Sequence, residues 1–157
     1  MIPFRWASRV YWEDTDGGGI VYYANYLRFL ERARTEWLRS LGYSQRALAE
    51  EPGIVFAVVS LNIEYRKPAK LDDELVITCV PEPQGAATIV FAQQIYRRSG
   101  ERSEQECAAP NLLVQARARV ACLDARTLRP KRLPDFLTQT DLATDSRSNL
   151  EEPSFNG

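Results

Sequence analysis

The chain has 157 residues, 45% of them hydrophobic and 26% charged, with a formal net charge of -1 and no histidine. That length suits one domain with its own core, and so small a charge gives no general pull toward nucleic acid or anionic lipid. The missing histidine excludes Ser-His-Asp and Cys-His hydrolases, while Cys79, Cys107 and Cys122, with no C-x-x-C pair, argue against a zinc site.

Phe4 to Trp12 reads as a first strand, followed by a turn through Thr15 to Gly19. A helix is expected from Tyr23 to Leu41, because Tyr26, Phe29, Leu30, Ala33, Trp37 and Leu41 fall on one face. Gly42 is placed to end it. Ser44 is expected to cap a short second helix through Glu50, which Pro52-Gly53 stops.

From Val55 the period changes to two. Val55, Ala57, Val59, Leu61, Ile63 and Tyr65 alternate with more polar neighbours. Leu75, Ile77 and Cys79 begin another strand, bounded by Lys70–Asp73 and by Pro81 and Pro83. Ile89, Phe91, Gln93 and Ile95 mark a third, and Leu112 to Cys122 a last and very regular one. Ser99 to Asn111 reads as a longer hairpin loop. The fold class expected is α+β, an antiparallel sheet wrapped around one long central helix over residues 1–137, with 138–157 a polar, mobile tail. No apolar run reaches the length of a membrane span, no signal-peptide pattern opens the chain, and the isolated cysteines fit reduced thiols. A cytoplasmic protein without membrane insertion is the expectation.

The chemistry concentrates between Tyr11 and Arg34, where a strand passes through Glu13-Asp14-Thr15-Asp16 and three glycines into the helix. That order aims an acid at the positive end of a helix, a place suited to negative charge developing on a carbonyl oxygen. Gly17, Gly18 and Gly19 permit backbone angles closed to other residues and let a substrate approach. Without G-K-[ST] they form no nucleotide P-loop, and Gly18 and Asn25 stand where a calcium loop needs oxygen ligands. Asp16 could equally shape the turn, since Asp-Gly is a common turn pair. Asn25 is a rival start for the helix, which would move the free amides to about Leu27 or Arg28. Asp14-x-Asp16 after an apolar strand resembles the haloacid dehalogenase phosphatases, but Gly18 replaces the Thr or Val they require.

Taken together, Tyr11-x-Glu13-Asp14-Thr15-Asp16-x-x-Gly19-x-Val21-Tyr22-x-x-x-Tyr26 and Glu31-Arg32-Ala33-Arg34 resemble the hotdog-fold acyl-CoA thioesterases. The likeness is greatest to the branch of 4-hydroxybenzoyl-CoA thioesterase and the YbgC-type, Tol-Pal-associated enzymes. Ile63-Glu64-Tyr65-x-x-Pro68-Ala69, Leu71-Asp72-Asp73, Arg129-Pro130-Lys131 and Leu133-Pro134 agree with it. YbgC-type members commonly carry histidine where this chain has Tyr23. The resemblance implies hydrolysis of a short-to-medium aliphatic or aromatic acyl-CoA by a homodimer or homotetramer. Metal and organic cofactor are absent from that chemistry, coenzyme A being part of the substrate.

The resemblance also places the catalytic carboxylate on Asp16, as nucleophile on the carbonyl or as general base to water, and the polarising donor on the Tyr23 backbone N–H. Gly19, Tyr26, Phe56 and Val58 are the expected contacts of the acyl group, with plain core packing the equal alternative for Tyr26, Phe56 and Val58. Arg66, Lys67, Lys131 and Arg132 are candidates for the coenzyme A phosphates, each competing with a plain role in solvent. Acyl carrier protein is a further partner by association. The alternative is a hotdog module that binds acyl-CoA or acyl carrier protein without turnover.

Overall fold

The computed structural model describes residues 3–100 and 104–138; the expected tail lies outside these, apart from Thr138. Strands β1 (Phe4–Arg9), β2 (Ile54–Tyr65), β3 (Glu74–Gln84), β4 (Thr88–Arg97) and β5 (Leu112–Asp124) form one antiparallel sheet in the order β1-β3-β4-β5-β2. Helix α1 (Tyr26–Ser40) lies across its inner face against β1, β3 and β4, and α2 (Gln45–Glu50) packs on β2. This is the hotdog arrangement expected from the sequence.

The helix buries Tyr26, Phe29, Leu30, Ala33 and Trp37, the stripe set by its 3.6-residue period, together with Leu38. Full burial of each large apolar side chain contributes about 1.5–3 kcal/mol. Their partners are Leu75, Ile77 and Ile95 at one end of the helix, and Ile89, Phe91, Val120 and Leu137 at the other. Gly42, at a φ of +91°, turns the chain out of the helix, a conformation favouring glycine. Ser44 caps α2 by accepting the Ala47 N–H at 3.2 Å.

Four local expectations require correction. β1 stops at Arg9, and Trp12–Asp14 is a 3-10 turn rather than strand. The single alternating phase of β2 is broken: Val58 pairs with Val120 and Ser60 with Arg119, so Val59 is an extra, bulged residue. Before the bulge Phe56 takes the inner phase, opposite Cys122; after it Leu61, Ile63 and Tyr65 do. β3 runs straight through Pro81 and Pro83, paired with Phe91 and Ile89. Both prolines share one parity, so both missing N–H groups lie on the side away from β4, past the point where Phe4 of β1 pairs with Cys79. Last, the segment before β5 carries two 3-10 turns, and in the first of these Glu106 is buried between Arg5 (3.3 Å) and Arg98 (3.2 Å).

Candidate active site

The acid-and-glycine segment folds as a tight hairpin. Thr15 bridges Val21, the Asp16 N–H donates to Ile20 O (2.8 Å), and the Tyr22 N–H donates to Asp14 O (3.1 Å). Asp16 therefore begins the tip of one limb, while Tyr23 follows directly on the other. At the tip, Gly19 N–H donates to Asp16 O (3.2 Å), and Gly18 N–H donates to the Asp16 Oδ1 at 2.7 Å. The latter is an Asx turn in which the side chain is held by its own loop. Of the three glycines only Gly19 is fixed by backbone angle, at a φ of +78°. Gly18 matters differently: a Cβ there would stand 3.2 Å from Asp16 Oδ1, whereas one on Gly17 meets open space.

Asp14 and Asp16 divide into structure and exposure. Asp14 is buried, its carboxylate accepting the Tyr11 N–H (2.9 Å) and its carbonyl the Asn25 side-chain amide (2.9 Å). Asp16 is exposed. Glu31, on α1, accepts the Thr35 hydroxyl at 2.7 Å.

The other limb enters α1 through a 3-10 turn, Tyr23–Asn25. Asn25 occupies the N-cap position of α1 without capping it, because its side chain is committed to Asp14. The Asn25 N–H is taken by Tyr22 O (2.8 Å). Among the described residues, the N–H groups of Tyr23 and Ala24 have no acceptor beyond their own turn. Helix α1 proper begins at Tyr26 with Asn25 in the N-cap position, the start that the rival reading of the sequence gave it, and the Tyr23–Asn25 turn leads into it from the hairpin.

Tyr65, which the sequence reading left unassigned, closes this end of the site. Its hydroxyl donates to Tyr23 O (3.0 Å) and its ring lies 6.4 Å from Tyr23 and 5.5 Å from Tyr26. Burial holds the Tyr65 phenol above its ordinary value, so at neutral pH it stays a donor. The available signal was its place at the end of the apolar phase of β2.

The remaining candidates separate. Tyr26 is 3% exposed and its hydroxyl accepts the Ala69 N–H (3.0 Å), which places it in the core beneath the hairpin. Phe56 is half-buried and lines a pocket with Trp37, Phe91 and Leu137. Val58 is 51% exposed on the inner phase of β2. Arg66 pairs with Glu64 (2.8 Å) and Lys67 donates to Pro110 O (3.0 Å), both at the Tyr65 end of β2. Lys131 donates to Pro52 O (2.9 Å) and Arg132 is exposed, both near the Ile54 end. Twelve residues of strand separate the two basic pairs, roughly 40 Å within one chain. Among the described residues no cluster of three His, Cys, Asp or Glu side chains could hold a metal ion.

Comparison with known proteins bears on the family and the fold. Residues 18–104 match the thioesterase superfamily. The chain is 44% identical to an acyl-CoA thioesterase YbgC of Haemophilus influenzae over 132 residues, 83% of this chain and 88% of that one. A probable thioesterase of Bartonella henselae superposes with a TM-score of 0.72 at 32% identity, covering 83% of this chain and 98% of that one. The 4-hydroxybenzoyl-CoA thioesterase of a Pseudomonas strain shares the fold with a TM-score of 0.74 at 24% identity, covering 88% and 98%.

Proposed function

The chain belongs to the thioesterase superfamily, and from that premise we propose that it is an acyl-CoA thioester hydrolase in which Asp16 is the working carboxylate. The observation that carries this reading is the hairpin that presents the exposed Asp16 carboxylate on one limb and the open Tyr23 and Ala24 amides on the other. The amides meet the thioester oxygen, whose charge grows as the carbonyl is attacked; loss of one such donor costs about 3 kcal/mol in the transition state. Asp16 attacks the carbonyl carbon, expelling the coenzyme A thiolate, or takes a proton from the water that does so. Either route ends in free acid and coenzyme A, with water consumed and no metal or organic cofactor required. The acyl group on this reading is short-to-medium aliphatic or aromatic, and acyl carrier protein is the second carrier to assay.

Two copies complete the site. β2 is an edge strand, and Val58 (51% exposed), Val59 (56%) and Leu61 (38%) form an apolar row along it that α1 does not cover. Antiparallel pairing of β2 with a second copy buries this row. It also brings Lys131 and Arg132 of one chain toward Arg66 and Lys67 of the other, reuniting the basic groups that a single chain keeps apart.

The test is thiol release from acetyl-, butyryl-, octanoyl-, palmitoyl- and 4-hydroxybenzoyl-CoA by wild type and Asp16→Asn. The variant keeps the Gly18 hydrogen bond and removes the charge, so turnover is expected to fall by about 10²–10⁴ with folding unchanged. Acyl-CoA binding without thiol release in either protein would leave a binding module instead.

A further inference from the structure

The C-terminal half of α1 and the sheet line an open pocket of about 50 Å³. Trp37, Phe56, Phe91, Val120 and Leu137 make its walls apolar, yet the Arg34 side chain also lines it. Arg34 falls on the same i,i+4 row as Tyr26 and Leu30, so its stem is carried inward with the buried stripe. Its Nη1 donates to the side-chain oxygen of Gln93 at 3.0 Å. Gln93, 2% exposed, interrupts the apolar phase of β4 and is itself fixed, its amide donating to Leu30 O at 3.0 Å. The helix thus orients Gln93, and Gln93 orients the guanidinium.

What the guanidinium lacks is a carboxylate in contact with it, Glu31 acting on it only through space. Among the described residues no carboxylate lies within 4.0 Å of Arg34. Glu31 is tied to Thr35, and the Cys79 thiol is pushed up by burial and stays neutral. Burial pulls the guanidinium down from its ordinary value, the mark of a cation left short of solvent and partners. A guanidinium carries five N–H donors, and Gln93 occupies one. A largely apolar cavity with such a group in its wall fits a ligand with a hydrocarbon body and an oxygen acceptor.

The position of the cavity says which ligand. Within one chain, Phe29, Leu30 and Ala33, none more than 1% exposed, fill the space between the helix start and Arg34. No acyl group threads that core. Two β2 strands paired antiparallel through their middles instead bring Phe56 of one copy beside the Ile63–Tyr65 end of the other, where Tyr65 holds Tyr23.

We infer that this cavity takes the distal end of the acyl group bound at the second copy's Asp16, and that Arg34, positioned by Gln93, selects acyl groups ending in a hydroxyl or carboxylate over plain hydrocarbon. This rests on the hydrolase reading and the β2 pairing given above. The shared chemistry is an oxygen acceptor at the far end of the acyl chain, and the assay separates its two forms.

Full-length protein is assayed for kcat/KM on hexanoyl-CoA, 6-hydroxyhexanoyl-CoA and adipoyl-CoA, the last with a free carboxylate. Wild type is expected to favour one of the oxygenated substrates over hexanoyl-CoA by about tenfold or more. Adipoyl-CoA leading marks an anion site, and the hydroxy substrate leading marks a neutral acceptor. Arg34→Met is expected to collapse that ratio toward one. Gln93→Glu keeps the arginine but supplies an internal carboxylate, and is expected to collapse the ratio too, with its melting curve showing it folded. Equal or better turnover of hexanoyl-CoA by wild type overturns the inference while keeping the hydrolase, as does a preference that survives in folded Gln93→Glu. Absence of turnover on all three, with any acyl-CoA of the panel above still hydrolysed, also overturns the inference and keeps the hydrolase; absence of turnover on that whole panel as well defeats the hydrolase reading itself.

Discussion

Tyr26→Phe separates a core tyrosine from one that works on substrate. The Tyr26 hydroxyl accepts the N–H of Ala69, a residue with no exposed surface, so removing the oxygen strands a buried donor. Leaving a buried amide unsatisfied costs about 1–3 kcal/mol, while the ring keeps its packing against Tyr65 at 5.5 Å and leaves almost no cavity. For a domain of this size the loss lowers the melting temperature by about 3–10 °C. Circular dichroism melts measure that fall, and thiol release at 20 °C or so, well below the melt, measures catalysis. The expected result is a destabilised protein whose kcat changes by less than about threefold, because the hydroxyl is committed to the backbone. An unchanged melting temperature with a tenfold drop in kcat would put the hydroxyl in the reacting site and refute the assignment.

Gly18→Ala introduces a methyl 3.2 Å from the Asp16 carboxylate and is expected to lower kcat by about tenfold, whereas Gly17→Ala, facing open space, stays near wild type. Equal effects from the two in a thiol-release assay would show that the loop does not hold the carboxylate in a working position. Leu61→Lys places a charge in the exposed apolar row of β2 and is expected to convert a dimer to a monomer by light scattering, with loss of turnover. A monomeric variant with full activity would mean that one chain carries a complete site.

Much of this architecture is legible because it is local. The inward stripe of α1 and the phases of β4 and β5 follow from periods of 3.6 and two, which each segment writes into its own residues. The Asp-rich hairpin is legible for a different reason: so few residue types fit its turn that Asp16 and Gly19 stand out. What escaped depends on neighbours. Pro81 and Pro83 end a strand only when another strand needs their N–H groups, and that is decided by where β1 begins, some 75 residues earlier. The bulge at Val59 inverts the inner phase of β2 through pairing with β5, which no window within β2 reveals. Gln93 on an apolar phase and Arg34 on a buried row were both visible as exceptions; only their meeting gives them meaning.

The prolines of β3 have a consequence for how many chains can join. A sheet with two receptive borders can add copies without limit, the geometry of a filament. Here one border is the six-residue β1, past which β3 has prolines where it would offer amides; the other is the twelve-residue β2. The longer border open to strand addition is therefore β2, and two copies joined through it would leave only the short β1 borders for a further chain. The same residues that let β3 run on past its neighbour withhold amides from the border where a third chain would have to pair.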